Sequence, residues 1–218
     1  MHYCGVVSVR GNLQLAMLEE VRTPEPPIQL SAMFFEPGSA AQVAAELRSL
    51  GEIVVGVAGP LTDPSSGRPS RVCDTLLLRE LPSYLPDDAG PGDGAVADGA
   101  YHRAPLFETN ADGVYSALQG RRLPAKRHPL GMQLRIDELT GDRIVDEGGD
   151  LWHRRIEELD AVACALCAHR YAVGHASWLG DPAEGVIVLP GSSIPQAFPR
   201  EGVMPPVERL QLPPVTEA

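Results

Sequence analysis

The chain of 218 residues contains almost no lysine, because 17 of its 18 basic residues are arginine and only Lys126 is lysine. A lysine ammonium is a compact point charge, whereas the arginine guanidinium is a wide planar fork. Lys126 is therefore a candidate for a position that arginine cannot fill. The alternative interpretation is a lysine that lies at the surface without a specific role.

Aromatic residues are also scarce, at 5% of the chain, whereas hydrophobic residues make up 44%. The core must then consist mostly of alanine, valine and leucine. No run of 18 apolar residues occurs, so the sequence predicts no membrane span. The first residues lack the basic and apolar regions of a signal peptide. Together with four cysteines, this predicts a cytoplasmic protein with reduced thiols.

The net charge of −11 argues against binding nucleic acid through bulk charge, because phosphate affinity depends on lysine and arginine displacing counterions. One stretch, 121–135, nevertheless concentrates positive charge. Its basic residues are Arg121, Arg122, Lys126, Arg127, His128 and Arg135. This stretch is the predicted anion site, for a small molecule or nucleic acid. The alternative is a solvated loop and helix face.

The first part of the chain predicts three strands, a helix and a fourth strand. The predicted strands are Tyr3–Val9, Leu13–Val21, Ile28–Phe35 and Ile53–Val57, and the helix covers 40–50. This order, which indicates an α/β protein, is how a ribonuclease-H-like fold begins. Periodicity alone does not separate that fold from other α/β folds.

The second part of the chain predicts a strand and helix within Leu106–Leu118, helices at Met132–Leu139 and Ile156–Ala172, and a strand at Val186–Leu189. Two regions rich in proline break this pattern. One is an irregular insertion at about 82–105, and the other is a tail at 191–218. The predicted organisation is one domain, 1–190, followed by the tail.

The strand Ile53–Val57 ends at Ala58 and Gly59, where α/β enzymes usually place an acid, a nucleophile or a phosphate-binding loop. Candidate acids occur elsewhere. Asp160 stands near the start of the longest helix, and Glu108 and Asp112 are four residues apart. Such carboxylates serve metal-dependent hydrolysis when they converge on a cation. The alternatives are a carboxylate favoured by the helix dipole and two solvated loop acids.

The ordered segments GVVSV, VGVAGPL, RVCD, FETNADGVYSAL, KRHPLGMQLR, LDAVACALCAHRYAVG and EGVIVLP cover most of 3–190. Together they resemble an uncharacterised family of predicted ribonuclease-H-like nucleases. The resemblance implies a mixed sheet flanked by helices and hydrolysis of a phosphate ester with Mg²⁺ or Mn²⁺.

The resemblance assigns site residues unevenly. It implies a catalytic set of Glu108, Asp160 and Lys126, in which the two acids are residual metal ligands. It implies substrate binding by Arg71, Asp74, Gly131 and Arg135. The family has aspartates at two further positions, where this chain has Val7 and Ala58.

Neither valine nor alanine can coordinate a cation, so two expected metal ligands are missing at positions 7 and 58. We therefore predict a degenerate metal site, with no metal bound and little or no phosphoesterase activity. The alternative is a non-catalytic scaffold that binds an anionic ligand or a protein partner. We further expect Val7 and Ala58 to be neighbours on adjacent strands, and Lys126 to lie in the cleft beside Glu108 or Asp160, where a metal would stand.

Overall fold

A computed structural model describes residues 1–21, 28–59, 106–181, 185–195 and 198–199. Several predicted features lie outside these ranges. They are Arg71, Asp74, the insertion at 82–105 and most of the tail at 191–218.

The described residues form eight strands and four α-helices. The strands are β1 His2–Val9, β2 Asn12–Val21, β3 Gln29–Phe34, β4 Ile53–Ala58, β5 Leu106–Thr109, β6 Ile144–Asp146, β7 Ala176–Asp181 and β8 Gly185–Pro190. The helices are α1 Ala40–Ser49, α2 Ala111–Gln119, α3 Pro129–Gly141 and α4 Ile156–Ala172, and Leu151–His153 forms a 3-10 turn. Among the helices in these ranges, none has the length and apolar character to cross a membrane.

The strands form one mixed sheet in the order β6-β3-β2-β1-β4-β5-β8-β7. Strands β1, β2 and β3 are an antiparallel meander, and β4 and β5 follow β1 in parallel. This arrangement confirms the predicted ribonuclease-H-like α/β fold. Val7 pairs with Ala58 in the register of β1 and β4, near the middle of the sheet, as the sequence predicts.

The sheet is covered on both faces, and β1 shows how its sequence achieves this. Successive side chains of a strand point to opposite faces. Cys4 and Val6 therefore pack in the cluster on the α1 face, and Tyr3 and Val7 pack in the cluster with α4. Because both faces are covered, the strand is apolar almost throughout rather than alternating.

Two strand glycines allow α4 to approach the sheet closely. A Cβ atom on Gly5 would lie 1.9 Å from the carbonyl oxygen of Ala161, and one on Gly56 would lie 2.7 Å from that of Cys164. Strand β1 and α4 run in opposite directions, since the Tyr3 ring packs edge-on against His169 near the end of the helix. Val7, two residues after Gly5 on the same face, therefore lies toward the first turns of α4.

Replacing Gly5 with alanine is expected to lower the free energy of unfolding by about 2 kcal/mol, because overpacking against helix backbone forces the layers apart. Urea unfolding followed by circular dichroism measures this loss. Gly141→Ala is the matched control, because a Cβ there meets no atom within 4 Å. Equal effects of the two substitutions would contradict the close packing of α4 on β1.

Candidate functional site

The candidate site lies where β1 and β4 end and α4 begins. Asp160 stands on the second turn of α4 and is only 7% exposed. Val7 and Ala58, which are 6% and 7% exposed, supply only apolar surface at the neighbouring strand ends.

Lys126 neutralises Asp160. Its Nζ atom donates a hydrogen bond to Oδ2 of Asp160 over 2.5 Å, and the lysine side chain is 33% exposed. Burial raises the pKa of Asp160 above its ordinary 3.8, and the ammonium of Lys126 opposes that rise only in part. The predicted proximity of Lys126 to Asp160 is confirmed. The other oxygen of Asp160, Oδ1, is buried and has no hydrogen-bond partner among the described residues.

A second carboxylate, Asp112, joins the lysine to a buried arginine. Oδ2 of Asp112 lies 3.5 Å from Nζ of Lys126, and its Oδ1 atom accepts a hydrogen bond of 2.8 Å from Nη2 of Arg135. The four charged groups alternate in the order Asp160, Lys126, Asp112, Arg135. Asp112 is the exposed member of this network, because 55% of its side chain is open to solvent.

Helix α2 places Asp112 in its first turn. Asn110 caps the helix, because its side chain accepts a hydrogen bond of 2.9 Å from the backbone N–H of Gly113. Asp112 then benefits from the positive end of the helix dipole. Its carboxylate consequently projects from a fixed helix end toward Lys126 and Arg135.

Arg135 on α3 holds the loop that carries Lys126. Its side chain is 3% exposed, and Nη1 donates to the carbonyl oxygens of Pro124 at 3.1 Å and Gly131 at 2.7 Å. Its guanidinium carbon lies 5.3 Å from the centre of the Tyr115 ring, a cation–π distance. Arg135 therefore fixes the loop and offers its second nitrogen, Nη2, to Asp112.

Gly131 has a packing role in the same loop. A Cβ atom there would lie 2.3 Å from the carbonyl oxygen of Ala125 and 2.9 Å from that of Pro124. Only glycine lets 121–128 lie this close to α3. Its assignment to substrate binding stays a prediction.

A surface cavity of about 410 Å³ lies beside the charged network. Its walls include three basic residues, one acid and two large apolar side chains: Arg122, Lys126, Arg135, Asp112, Leu123 and Phe198. Phe198 comes from the C-terminal segment, and the carbonyl oxygen of Pro199 accepts a 2.8 Å hydrogen bond from the backbone N–H of Arg122. The cavity thus combines positive charge with an apolar wall.

Glu108 is on the opposite face of the sheet from Asp160. On β5, the neighbouring residues Phe107 and Thr109 contact Tyr171 and Cys167 of α4. Because strand side chains alternate, Glu108 points toward the α1 face. The structure therefore brings Asp160, Lys126 and Arg135 together and does not bring Glu108 to them.

The residues at this site do not fit the Mg²⁺ or Mn²⁺ ion that the family resemblance implies. Such ions need convergent oxygen ligands. Val7 and Ala58 offer none, and Oδ2 of Asp160 is bound to an ammonium. In the part of the chain that the structure describes, no three His, Cys, Asp or Glu side chains are grouped so that they could hold a metal.

Among the residues that line the cavity, Asp112 was a candidate acid without an assigned role, and Phe198 was not a candidate. The sequence does signal Asp112, because an acid two residues after the capping residue Asn110 belongs to the first turn of a helix. The four-residue spacing of Glu108 and Asp112 suggests a site in which the two carboxylates converge. They do not converge, because Glu108 is on strand β5 and Asp112 is on helix α2. No pattern in the tail signals Phe198.

No protein-family model matches the chain, and a search of curated proteins found no match. Solved structures of RuvC from Thermus thermophilus are similar in fold at 16% sequence identity. One has a TM-score of 0.47 and covers 79% of this chain and 95% of its own. The other, RuvC in complex with a Holliday junction substrate, has a TM-score of 0.45 and covers 80% and 95%.

Proposed function

We propose that this chain is a non-catalytic ribonuclease-H-like protein that binds an anionic ligand in the cavity beside Lys126. The observation that carries the proposal is the contact of Lys126 with Asp160. It places an ammonium against the buried carboxylate of Asp160, beside two apolar residues at the ends of β1 and β4, Val7 and Ala58.

An internal ammonium balances the charge of Asp160 but cannot do the work of a metal ion in phosphate-ester hydrolysis. A metal polarises the ester and ionises a bound water. An ammonium offers hydrogen bonds and charge but no open coordination position. The chain would therefore keep the electrostatic balance of a nuclease site without its chemistry.

Charge at the cavity supports an anion as ligand. Arg122, Lys126 and Arg135 contribute three positive charges, and Asp112 and Asp160 contribute two negative ones. The balance is positive in a chain whose net charge is −11. A buried guanidinium is an effective partner for carboxylates and phosphates, because it is planar and weakly hydrated.

We expect inorganic phosphate to bind the full chain weakly and to change NMR chemical shifts only in residues 111–135. The substitution Lys126→Gln should abolish these changes. Unaltered spectra in millimolar phosphate would contradict the anion site.

We expect no cleavage of DNA, RNA or small phosphodiesters above background in millimolar Mg²⁺ or Mn²⁺. Incubation of purified protein with a panel of these substrates, with and without EDTA, provides the measurement. Asp160→Asn is the diagnostic variant. Metal-dependent cleavage by the natural chain that Asp160→Asn abolishes would restore the enzyme hypothesis and refute this proposal.

A further inference from the structure

We infer that Asp112 is an internal competitor for the cavity, and that the ligand is a small organic anion with an apolar body. The anionic head, a phosphate or carboxylate, would replace the Asp112 carboxylate on Arg135 and Lys126. The apolar body would lie against Leu123 and Phe198. This inference rests on the proposed function, since it specifies the ligand of the same cavity.

The position of Asp112 carries the first part of the inference. Its two oxygens divide between the two cations, with Oδ1 at 2.8 Å from Arg135 and Oδ2 at 3.5 Å from Lys126. A carboxylate of a ligand, or two oxygens of a phosphate, can make the same pair of contacts. Asp112 therefore marks the place and orientation that an anionic head group would take.

The exposure of Arg135 and Asp112 shows which of the two side chains can move. Arg135 is 3% exposed and held by two backbone carbonyl groups, so its position is fixed. Asp112 is 55% exposed and can turn into solvent when a ligand arrives. The head group of the ligand would then take over the contact of Asp112 with Arg135, so the buried guanidinium would not be left unpaired.

The apolar wall of the cavity supports the second part of the inference, that the ligand has an apolar body. Leu123 and Phe198 line the cavity beside the cations, and its volume of about 410 Å³ exceeds what an anionic head group alone requires. Ligand sites typically combine apolar walls with a few polar groups that fix orientation. Phe198 suits the flat face of an aromatic ring or a short aliphatic chain.

Four probes separate the head group from the body: inorganic phosphate, phenyl phosphate, benzoate and benzyl alcohol. Their affinities for the full-length chain are measured by NMR titration. We expect phenyl phosphate to bind more tightly than inorganic phosphate, and benzyl alcohol to show no binding. The ratio of phenyl phosphate to benzoate affinity identifies the preferred head group.

Asp112→Asn is expected to tighten the binding of inorganic phosphate and phenyl phosphate about fivefold, because the competing carboxylate is gone. Asp137→Asn is the matched control. It removes one negative charge from an exposed position two residues from Arg135, and it should change affinity less than about twofold. If Asp112→Asn does not fold, Asp112→Ser provides the same test. Phe198→Ala should weaken phenyl phosphate but leave inorganic phosphate unchanged.

The outcomes separate the two proposals. This inference is overturned if Asp112→Asn and Asp137→Asn change the affinity equally. It is also overturned if Phe198→Ala binds phenyl phosphate as tightly as the natural chain does. The proposed anion site would then still stand if inorganic phosphate binds and Lys126→Gln abolishes that binding. Absence of anion binding in every variant would overturn both.

Discussion

Replacing Lys126 with methionine is expected to lower the free energy of unfolding by about 3 kcal/mol at pH 7. The change leaves Asp160 buried without its partner, and removing one member of a buried ion pair costs about 3–5 kcal/mol. The lower end applies because Lys126 is 33% exposed. Methionine keeps most of the side-chain volume, so the loss reflects charge rather than a cavity. Urea unfolding at pH 7 measures it.

The deficit of Lys126→Met should shrink as the pH falls. Burial already raises the pKa of Asp160 above its ordinary 3.8, and the loss of the ammonium raises it further. The folded variant then binds a proton more tightly than the unfolded chain does. Protonation consequently favours the folded state. Stability therefore recovers as the pH falls through the folded pKa of Asp160 toward 3.8, and it declines again as the pH rises.

Two further variants test the cause of this deficit. Adding Asp160→Asn to Lys126→Met should restore most of the lost stability, because the unpaired charge is gone. Lys126→Arg keeps the charge. We expect it to destabilise the chain or lose anion binding, because the wide planar guanidinium does not fit a site shaped for a compact ammonium. If Lys126→Met is as stable as the natural chain at pH 7, Lys126 is not the neutralising partner of Asp160.

Introducing aspartate at both Val7 and Ala58 is expected to make the chain depend on a divalent metal. The two residues pair across β1 and β4, where Cα atoms lie about 4.8 Å apart, and both point to the α4 face. Two buried carboxylates without a cation would repel each other and destabilise the folded protein. Mn²⁺ should restore the lost stability, because oxygen ligands from adjacent strands then converge on it.

Thermal unfolding of Val7→Asp/Ala58→Asp with Mn²⁺ and with EDTA measures this dependence. We expect a midpoint that rises by more than about 10 °C with Mn²⁺, as strong ligand linkage would give. Val7→Asn/Ala58→Asn is the matched control, with similar shape and no charge, and should not respond. A folded aspartate variant that ignores Mn²⁺ would contradict descent from a metal-dependent site.

Much of the fold follows from local sequence. The longest helix begins and ends where its alanine-rich composition predicts, at Ile156–Ala172. The first four strands occur in the predicted order, because apolar runs between turn residues leave few alternatives. Strand β6 has only three residues, Ile144–Asp146, and periodicity cannot detect so short a segment. It forms because β3 offers a free edge.

Strand β7, Ala176–Asp181, was also missed. It contains a glycine and begins two residues after Gly174, so its sequence resembles a loop. Its pairing with β8, which extends from Ala176 opposite Pro190 to Asp181 opposite Gly185, supplies the order that its own composition does not. Tertiary pairing therefore decides this element rather than propensity.

The candidate site was predictable where composition singled out a residue. Lys126 stood out as the only lysine, and its predicted partner Asp160 is the carboxylate it contacts. The four-residue spacing of Glu108 and Asp112 could not show that their side chains lie apart, because a strand ends and a helix begins between them. Strand alternation then sends Glu108 to one face of the sheet, and the helix turns Asp112 toward Lys126.

The scarcity of lysine gives the folded protein an unusual chemical property. Reagents that modify ε-amino groups have one target in the whole chain, and that target touches Asp160 in the candidate site. Reductive methylation with ¹³C-formaldehyde would place a single side-chain NMR reporter there while keeping the positive charge. Acylation would instead remove the charge. Covalent modification of one side chain can therefore either report on the charge balance of this site, by methylation, or remove it, by acylation, without a mutation.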